Sequence, residues 1–298
     1  MTQGKYYASG PGYFCEDQEE KTYAMKSIIA ATDFSENAAN AVRYAAALAE
    51  ATKARLVLFH AFPYPVIATD IPVEIQSFID ETTETHVDKL LKIRHALEKQ
   101  FNIEVRCIAQ GGSVAYNLEE VMKREKGDLA VMGLRGSNRA INVLMGSTTF
   151  EVMRLGKVPM LIIPDNANYH KPERILFACD NPFIAKGAVL QPLKELAMQF
   201  DTEIEVYMVN ASASASGEAP HSNLEEHFEK LRHRYTFDEA EGVRQSILQR
   251  IQASNADIVT MIPHHRSIWT YLFDKSDTHS IALQTTIPML VLAENAAL

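Results

Sequence analysis

The sequence predicts an α/β protein, two tandem doubly wound five-stranded parallel sheets with helices on both faces, and three observations lead there. Short, almost continuously apolar runs alternate with amphipathic stretches, the pattern of parallel strands buried on both faces and covered by helices. The order of these segments begins again halfway along the chain. Its 298 residues also suffice for two domains of about 150 residues each.

Residues 26–31 (KSIIAA) form the first apolar run, which closes on Thr32-Asp33-Phe34-Ser35. Ala38, Ala41, Val42, Ala45, Leu48 and Ala49 follow at three-to-four spacing, so an amphipathic helix is expected with Ser35 as its N-cap. Residues 55–61 read as a buried strand, followed by a loop broken by Pro63, Pro65 and Pro72. A helix is expected over roughly 74–100, with Val87, Leu90, Leu91, Ile93 and Leu97 on its inner stripe. Then come a strand at 103–109, a Gly111-Gly112 turn, and a helix capped by Ser113 that ends near Gly127. Residues 128–133 are the fourth strand. A loop with a short helix leads to the fifth, at 158–164.

The second half repeats this order. Residues 174–180 (RILFACD) repeat the first strand and its terminal aspartate, with Asp180 lying 147 positions after Asp33, and 205–210 repeat the second strand. Residues 257–261 (DIVTM) repeat 128–132 (DLAVM) at an offset of 129, and 287–291 (IPMLV) repeat 158–162 (VPMLI) at the same offset. The second copy is therefore shorter only upstream of its fourth strand, around its second loop and helix. That loop includes 211–217 (ASASASG), a low-complexity stretch. The expected domains are 25–166 and 171–298. Residues 1–24 lack periodicity and carry an acidic cluster from Glu16 to Glu20; they read either as a mobile arm or upstream extension, with Met25 as an alternative start, or as a partner-binding segment.

Composition narrows the function. Hydrophobic residues at 47% and charged residues at 22% are ordinary for a folded chain. Twenty-nine Lys and Arg against 38 Asp and Glu leave a formal charge of −9, so no global field draws nucleic acid or an anionic membrane. No apolar run approaches the roughly 18 residues of a membrane span, and the amino-terminal stretch lacks the apolar core of a secretory signal. Cys15, Cys107 and Cys179 are unclustered, which argues against a disulfide scaffold or a cysteine zinc site. A cytoplasmic protein is expected.

The informative segment in the first half is Gly133-Leu134-Arg135-Gly136, nine residues, then Gly146-Ser147-Thr148-Thr149. Gly133 ends a strand where a missing Cβ leaves the backbone approachable, and Gly136 permits a turn with positive φ. Gly146-Ser147-Thr148 opens the next helix and would present free N–H groups, two hydroxyls and the positive end of the helix dipole, the requirements of a phosphate cradle. Arg135 and Arg139 sit inside the loop. Neither the P-loop pattern nor G-x-G-x-x-G after strand one occurs.

This glycine pattern after strand four, with T-D-F-S after strand one, resembles the universal stress protein family. The resemblance covers both halves, 25–166 and 171–298, and implies sheets of order 3-2-1-4-5 and, with this glycine motif, ATP binding. It places Asp33 and Ala61 at the adenine, Gly133 beneath the ribose, and Gly136, Gly146, Ser147 and Thr148 at the phosphates. Thr32, Met132, Arg135 and Thr149 complete the implied site, together with Ala31, which lies two residues before Asp33, where the family often has proline. Fifth strands often pair in this family, so residues 158–163 and 287–292 would meet as an intramolecular pseudo-dimer.

The second half has lost the motif. At the offset of 129, Gly133 becomes Ile262, Gly136 becomes His265, Gly146 becomes Lys275, Ser147 becomes Ser276 and Thr148 becomes Asp277. A carboxylate then stands where a phosphate oxygen would be, and side chains fill the space the backbone left open. Asp180 is expected to cap the following helix. His264 and His265, and His221, His227 and His233 near one helix, do not read as a metal site. Trp269, Tyr271, Leu272 and Phe273 form an apolar cluster that either packs over the lost crevice or docks the other domain or a second chain, as in a homodimer.

The leading functional expectation is a stress-response or regulatory protein that binds ATP, with or without magnesium, in its first domain and uses the second as a pseudo-dimer partner. The alternatives are a slow ATPase and a scaffold with both sites vestigial. Related nucleotide hydrolases use S-G-G-x-D-S after strand one, which Ala-Thr-Asp-Phe-Ser cannot supply.

Overall fold

Apolar runs with in-and-out parity here build one sheet rather than two. The computed structural model describes residues 24–64, 72–134, 146–179, 184, 186–209, 223–238, 243–263 and 286–293, with only the backbone given for 72–78 and 243–244. The first-half strands are β1 (Ser27–Ala31), β2 (Arg55–Phe62), β3 (Val105–Gly111), β4 (Leu129–Gly133) and β5 (Met160–Ile163). Those of the second half are β6 (Arg174–Ala178), β7 (Glu203–Val209), β8 (His233–Asp238), β9 (Ile258–Met261) and β10 (Met289–Val291). The sheet order is β3-β2-β1-β4-β5-β10-β9-β6-β7-β8, each half reading 3-2-1-4-5 outward from its own third strand. Every pairing is parallel except the central one, where Met160, Leu161 and Ile162 of β5 run antiparallel to Val291, Leu290 and Met289 of β10. The two expected sheets are thus continuous. An unpaired β5 or β10 would expose an apolar edge, and each removes the other's.

Seven helices cover the described sheet: α1 (Glu36–Thr52), α2 (Pro72–Gln100), α3 (Val114–Arg124), α4 (Ser147–Leu155), α5 (Gln191–Phe200), α6 (Leu224–Phe228) and α7 (Val243–Ser254). Strand parity sorts the core into two layers. Ile28, Leu58, Leu129 and Leu290 pack with α1, α2 and α5 on one face, while Ile29, Phe59, Met132 and Val291 pack with α3, α4 and α7 on the other. Ser35 caps α1 as expected, its Oγ accepting the Ala38 N–H at 3.2 Å. Ser113 holds the N-cap position of α3 without a side-chain capping bond, and its carbonyl accepts the Asn117 N–H instead. The third strand starts two residues later than the sequence suggests and runs into the glycine turn, where a Cβ on Gly111 would lie 2.6 Å from the Tyr64 ring and Gly112 adopts φ +115. The shortening of the second half falls in its second helix: α2 has 29 residues and α6 has 5.

Both halves begin with the same device. Asp128 Oδ2 accepts the N–H groups of Lys26 and Ser27 at 2.6 and 2.8 Å, and Asp257 Oδ2 accepts those of Glu173 and Arg174 at 2.7 and 2.9 Å. Each aspartate, just before its fourth strand, thereby fixes the start of the first. Burial pushes the Asp257 carboxyl up, but hydrogen bonds from His170 and from the Arg174 and Glu173 amides outweigh it and hold the group below the usual carboxylate range. The connecting segment is held from the first half by Asn40, whose Nδ2 donates to the carbonyls of Pro164 and Ala167, and by the edge-to-face contact of Tyr44 with Tyr169.

Two stability outcomes are expected. Asp257→Ala lowers the unfolding free energy at pH 7 by about 1–3 kcal/mol in urea titrations. Because the native pKa is depressed, that difference is fully present above pH ~4 and disappears as pH falls through the lower native value. Leu161→Ala and Leu290→Ala, facing pairs across β5 and β10, each cost about 2–5 kcal/mol, and the double variant departs from additivity by at least ~0.5 kcal/mol.

Candidate functional site

The order β2-β1-β4-β5 reverses direction between β1 and β4, and in such sheets the crevice outside the carboxyl ends at that point is the natural ligand position. Ile28, Ile29 and Ala30 lie opposite Leu129, Ala130 and Val131, so the turn after β1 and the end of β4 emerge at one level. Thr32 continues the β1 ladder by donating its N–H to the Phe59 carbonyl at 2.9 Å. Its hydroxyl then accepts the Phe34 N–H at 3.0 Å, and the exposed Asp33 accepts the Ser35 N–H at 3.0 Å. These local bonds turn the chain into α1, with Phe34 at φ +65.

On the other wall, β4 passes Gly133 and the Leu134 N–H donates to the Ile163 carbonyl. The Gly146 N–H donates to the Leu134 carbonyl at 2.8 Å and anchors the start of α4 beside the strand end. Thr149 is buried, its hydroxyl donating to the Gly133 carbonyl at 2.9 Å. The Gly146 amide, expected at the phosphates, and the hydroxyl of Thr149, a further residue of the implied site, are therefore spent within the protein, tying the strand end to the helix start. Ser147 is exposed and Thr148 half-buried. Helix geometry leaves the amides of Ser147, Thr148 and Thr149 without an intrahelical carbonyl.

Of the other expected residues, Ala31 and Met132 are buried in the layer under α3 and α4, and Ala61 is half-buried on β2 opposite Gln110. Arg135, Gly136 and Arg139 lie outside the described residues, as do Asp180, His221, His264, His265, Trp269, Tyr271, Leu272, Phe273, Lys275, Ser276 and Asp277. Ile262 is buried in the layer under α1 and α5. His227 and His233 do not share a helix: His227 is in α6 and His233 opens β8, where its ring meets Glu225 and the Leu231 carbonyl. A cavity of about 950 Å³ lies at the opposite, amino-terminal edge of the sheet, where Lys26, Lys53, Arg55 and Asp128 line it. Asp128 there is already committed to backbone amides, so the carboxyl-edge crevice remains the candidate.

Sequence reasoning missed a cluster beside the Asp33 turn. His60 follows Leu56 and Leu58 on the α2 face of β2, and its Nδ1 lies 2.7 Å from the Thr32 carbonyl. A carbonyl only accepts, so Nδ1 carries the hydrogen and Nε2 is a bare acceptor. His60 is 7% exposed, and neither its Nε2 nor the buried Nδ1 of His86 on α2 has a partner among the described residues. The His60 ring centroid lies 4.5 Å from that of His86 and 4.4 Å from that of Phe34, and Phe62 stacks on His86 at 4.8 Å. Lys89 Nζ sits 5.4 Å from the centre of the Phe34 ring. Burial is the main cause that pushes both histidines below their usual pKa, with Lys89 acting the same way on each. The signal was present in the parity of β2: a histidine in register with Leu56 and Leu58 has to lie beneath the covering helix.

Residues 25–164 match the universal stress protein family. A universal stress protein of Thermus aquaticus, from the region 3′ of a QAH/OAS sulfhydrylase, is 28% identical over 142 residues, which cover 47% of this chain and 98% of that one. A solved universal stress protein from Archaeoglobus fulgidus superposes with a TM-score of 0.65 at 19% identity, covering 90% of this chain and 98% of its own. A Pseudomonas aeruginosa protein described as functionally unknown gives a TM-score of 0.54 at 14% identity, covering 91% and 93% of the two chains. At these identities the solved structures share the fold with this chain. The match at 25–164 coincides with β1–β5, the half that holds the Asp33 turn and the α4 start.

Thr149→Val keeps the shape but leaves the Gly133 carbonyl without its donor. Thermal and urea unfolding should show a loss of about 1–2 kcal/mol.

Proposed function

We propose that the first half binds an adenine nucleotide, ATP, at the β1/β4 reversal, and that the second half is a degenerate repeat serving as its intramolecular pseudo-dimer partner in a stress-response or regulatory protein. The observation carrying this reading is the convergence of the Thr32–Ser35 turn and the start of α4 on one crevice. A polyphosphate is stabilised at such a helix start by unpaired amides and the dipole. Ser147 and Thr148 add hydroxyls there, and Gly136 and Arg135 belong to the same loop in sequence. Asp33 and Ala61, at the ends of adjacent strands, stand on the side where the resemblance puts the base.

Register supports the asymmetry between halves. The β6–β9 pairing of Ile175 with Ile258 is the counterpart of the β1–β4 pairing of Ile28 with Leu129, so Ile262 follows β9 where Gly133 ends β4. A buried β-branched side chain there occupies space that a ribose would need. The antiparallel β5–β10 seam supports the pseudo-dimer reading, since it relates two like halves across one chain.

The test is a thermal-shift series with ATP on the full chain, alongside mass spectrometry of nucleotide released from freshly purified protein. Binding to the folded state alone at 100 times the dissociation constant stabilises by about 2.7 kcal/mol. Thr148→Glu, which puts a carboxylate at the helix start, should weaken ATP at least tenfold without lowering the ligand-free melting temperature by more than a few degrees. Absence of any shift at millimolar ATP overturns the reading.

A further inference from the structure

The histidine–phenylalanine cluster beside the turn is not explained by core packing alone. Two imidazoles in ring contact each bury a nitrogen with no partner among the described residues. We propose that His60 and His86 are positioning residues for the nucleotide site, holding the Asp33 turn in its ligand-ready form only while both rings are neutral. The inference rests on the nucleotide reading above and deepens it by assigning its control by pH.

The connection from rings to turn is direct. His60 donates from Nδ1 to the carbonyl of Thr32, the residue before Asp33, and Phe34, the residue after it, packs on both histidines at 4.4 and 6.0 Å. The turn is thus gripped on both sides of Asp33. Phe34 is held at φ +65, a left-handed conformation that a bulky aromatic keeps only where its surroundings impose it. Around it here are the local bonds from Thr32 and Asp33 and the rings of His60, His86 and Phe62, with Lys89 over the Phe34 ring.

Protonation breaks this enclosure from within. A proton on His60 Nε2 would be a buried donor with no acceptor among the described residues, and a second on the His86 ring would bring two cations into ring contact. Burial and Lys89 disfavour a charge on the pair, while on His60 the bond to the Thr32 carbonyl and, less strongly, the solvent-exposed Asp33 favour it; burial outweighs both. The sign follows. Both native pKa values are depressed, so the neutral arrangement is fully favoured above the unfolded histidine value of about 6.5 and loses stability progressively as pH falls below it. Nucleotide affinity falls along the same curve.

Isothermal titration of the full chain with ATP at pH 7.5 and 5.5 should give an affinity ratio of several-fold, since each linked proton contributes up to tenfold per pH unit and only below its own native pKa. A free-ATP control corrects for the nucleotide's own titration. His86→Phe, which keeps a ring and removes the charge, should reduce the ratio to within about twofold. His60→Asn, which retains a donor toward Thr32, should likewise flatten the profile and bind ATP more tightly than His60→Phe, which has none. A ratio that persists unchanged in His86→Phe overturns the proposal even though ATP binds. If ATP binds at neither pH, the nucleotide reading fails separately, and NMR of the ligand-free chain decides this one. The amides of Asp33, Phe34 and Ser35 must shift with the same midpoint as the His60 and His86 rings, and independence of the two overturns it.

Discussion

The parallel ladder between β1 and β4 is the contact from which the crevice follows. Three register pairs, Ile28 to Ala30 against Leu129 to Val131, set two chain segments a hundred residues apart at one height on one edge. Nothing local brings Asp33 near Gly133. What makes the ladder possible is that both strands are apolar on both faces, so neither tolerates an edge position, and the remaining strands must add outside them. Asp128 then sets the register at the other end by taking the two amides that begin β1. A strand slip by one residue would lose both bonds and turn Ile28 and Ile29 to the wrong layers.

The second half keeps this frame and exchanges its contents. Asp257 repeats the role of Asp128, and the β6–β9 register repeats that of β1–β4. Sheet register aligns β7 with β2, placing Glu205, Tyr207 and Met208 where the first half has Val57, Phe59 and His60. Glu205 is buried and held by Arg234 and Arg250, and Tyr207 donates to Asp238. Burial raises the Glu205 pKa, yet the bonds from Arg234, Arg250 and Thr236 outweigh it and keep the group ionised. An ion cluster of this kind is weak as net stabilisation, because desolvation offsets most of the attraction. It occupies the face of β7 that in β2 carries Val57 and Phe59, so the two halves share the frame and differ in what fills it.

Much of the frame could be read from the sequence because it is written in periodicity. Continuous apolar runs mark the strands, and two fixed offsets relate the order of the second half to that of the first; the same offsets reappear in the register pairs of Ile28 with Leu129 and Ile175 with Ile258. Boundaries were less clear where a strand ends in glycine, as at Gly111, since glycine signals a turn in sequence and can still pair in a sheet. The strand opened by His233 is hard to read in the sequence because β8 (HRYTFD) mixes half-buried and exposed residues at the sheet's edge and lacks the apolar run of an interior strand. The candidate site is legible as a motif, whereas its hydrogen-bond economy is not. That Gly146 and Thr149 are committed to Leu134 and Gly133 depends on how the loop base closes, which spacing does not encode.

Those commitments change how the crevice works. A cradle whose amides and hydroxyls all point outward would have to be ordered by its ligand, at a cost in conformational entropy. Here the loop base is tied before any ligand arrives: Leu134 to Ile163, Gly146 to Leu134 and Thr149 to Gly133 form a closed chain of bonds between β4, β5 and α4. The opposing wall is tied by Thr32 and Asp33 to their own backbone and by His60 to Thr32. The walls differ in one respect. The α4 wall is fixed by neutral groups that do not titrate, while the turn is fixed in part by an imidazole in a desolvated enclosure. Of the two walls, only the one that carries Asp33 has a titratable side chain, His60, among these ties, so any response of the crevice to proton concentration would have to arise on that side.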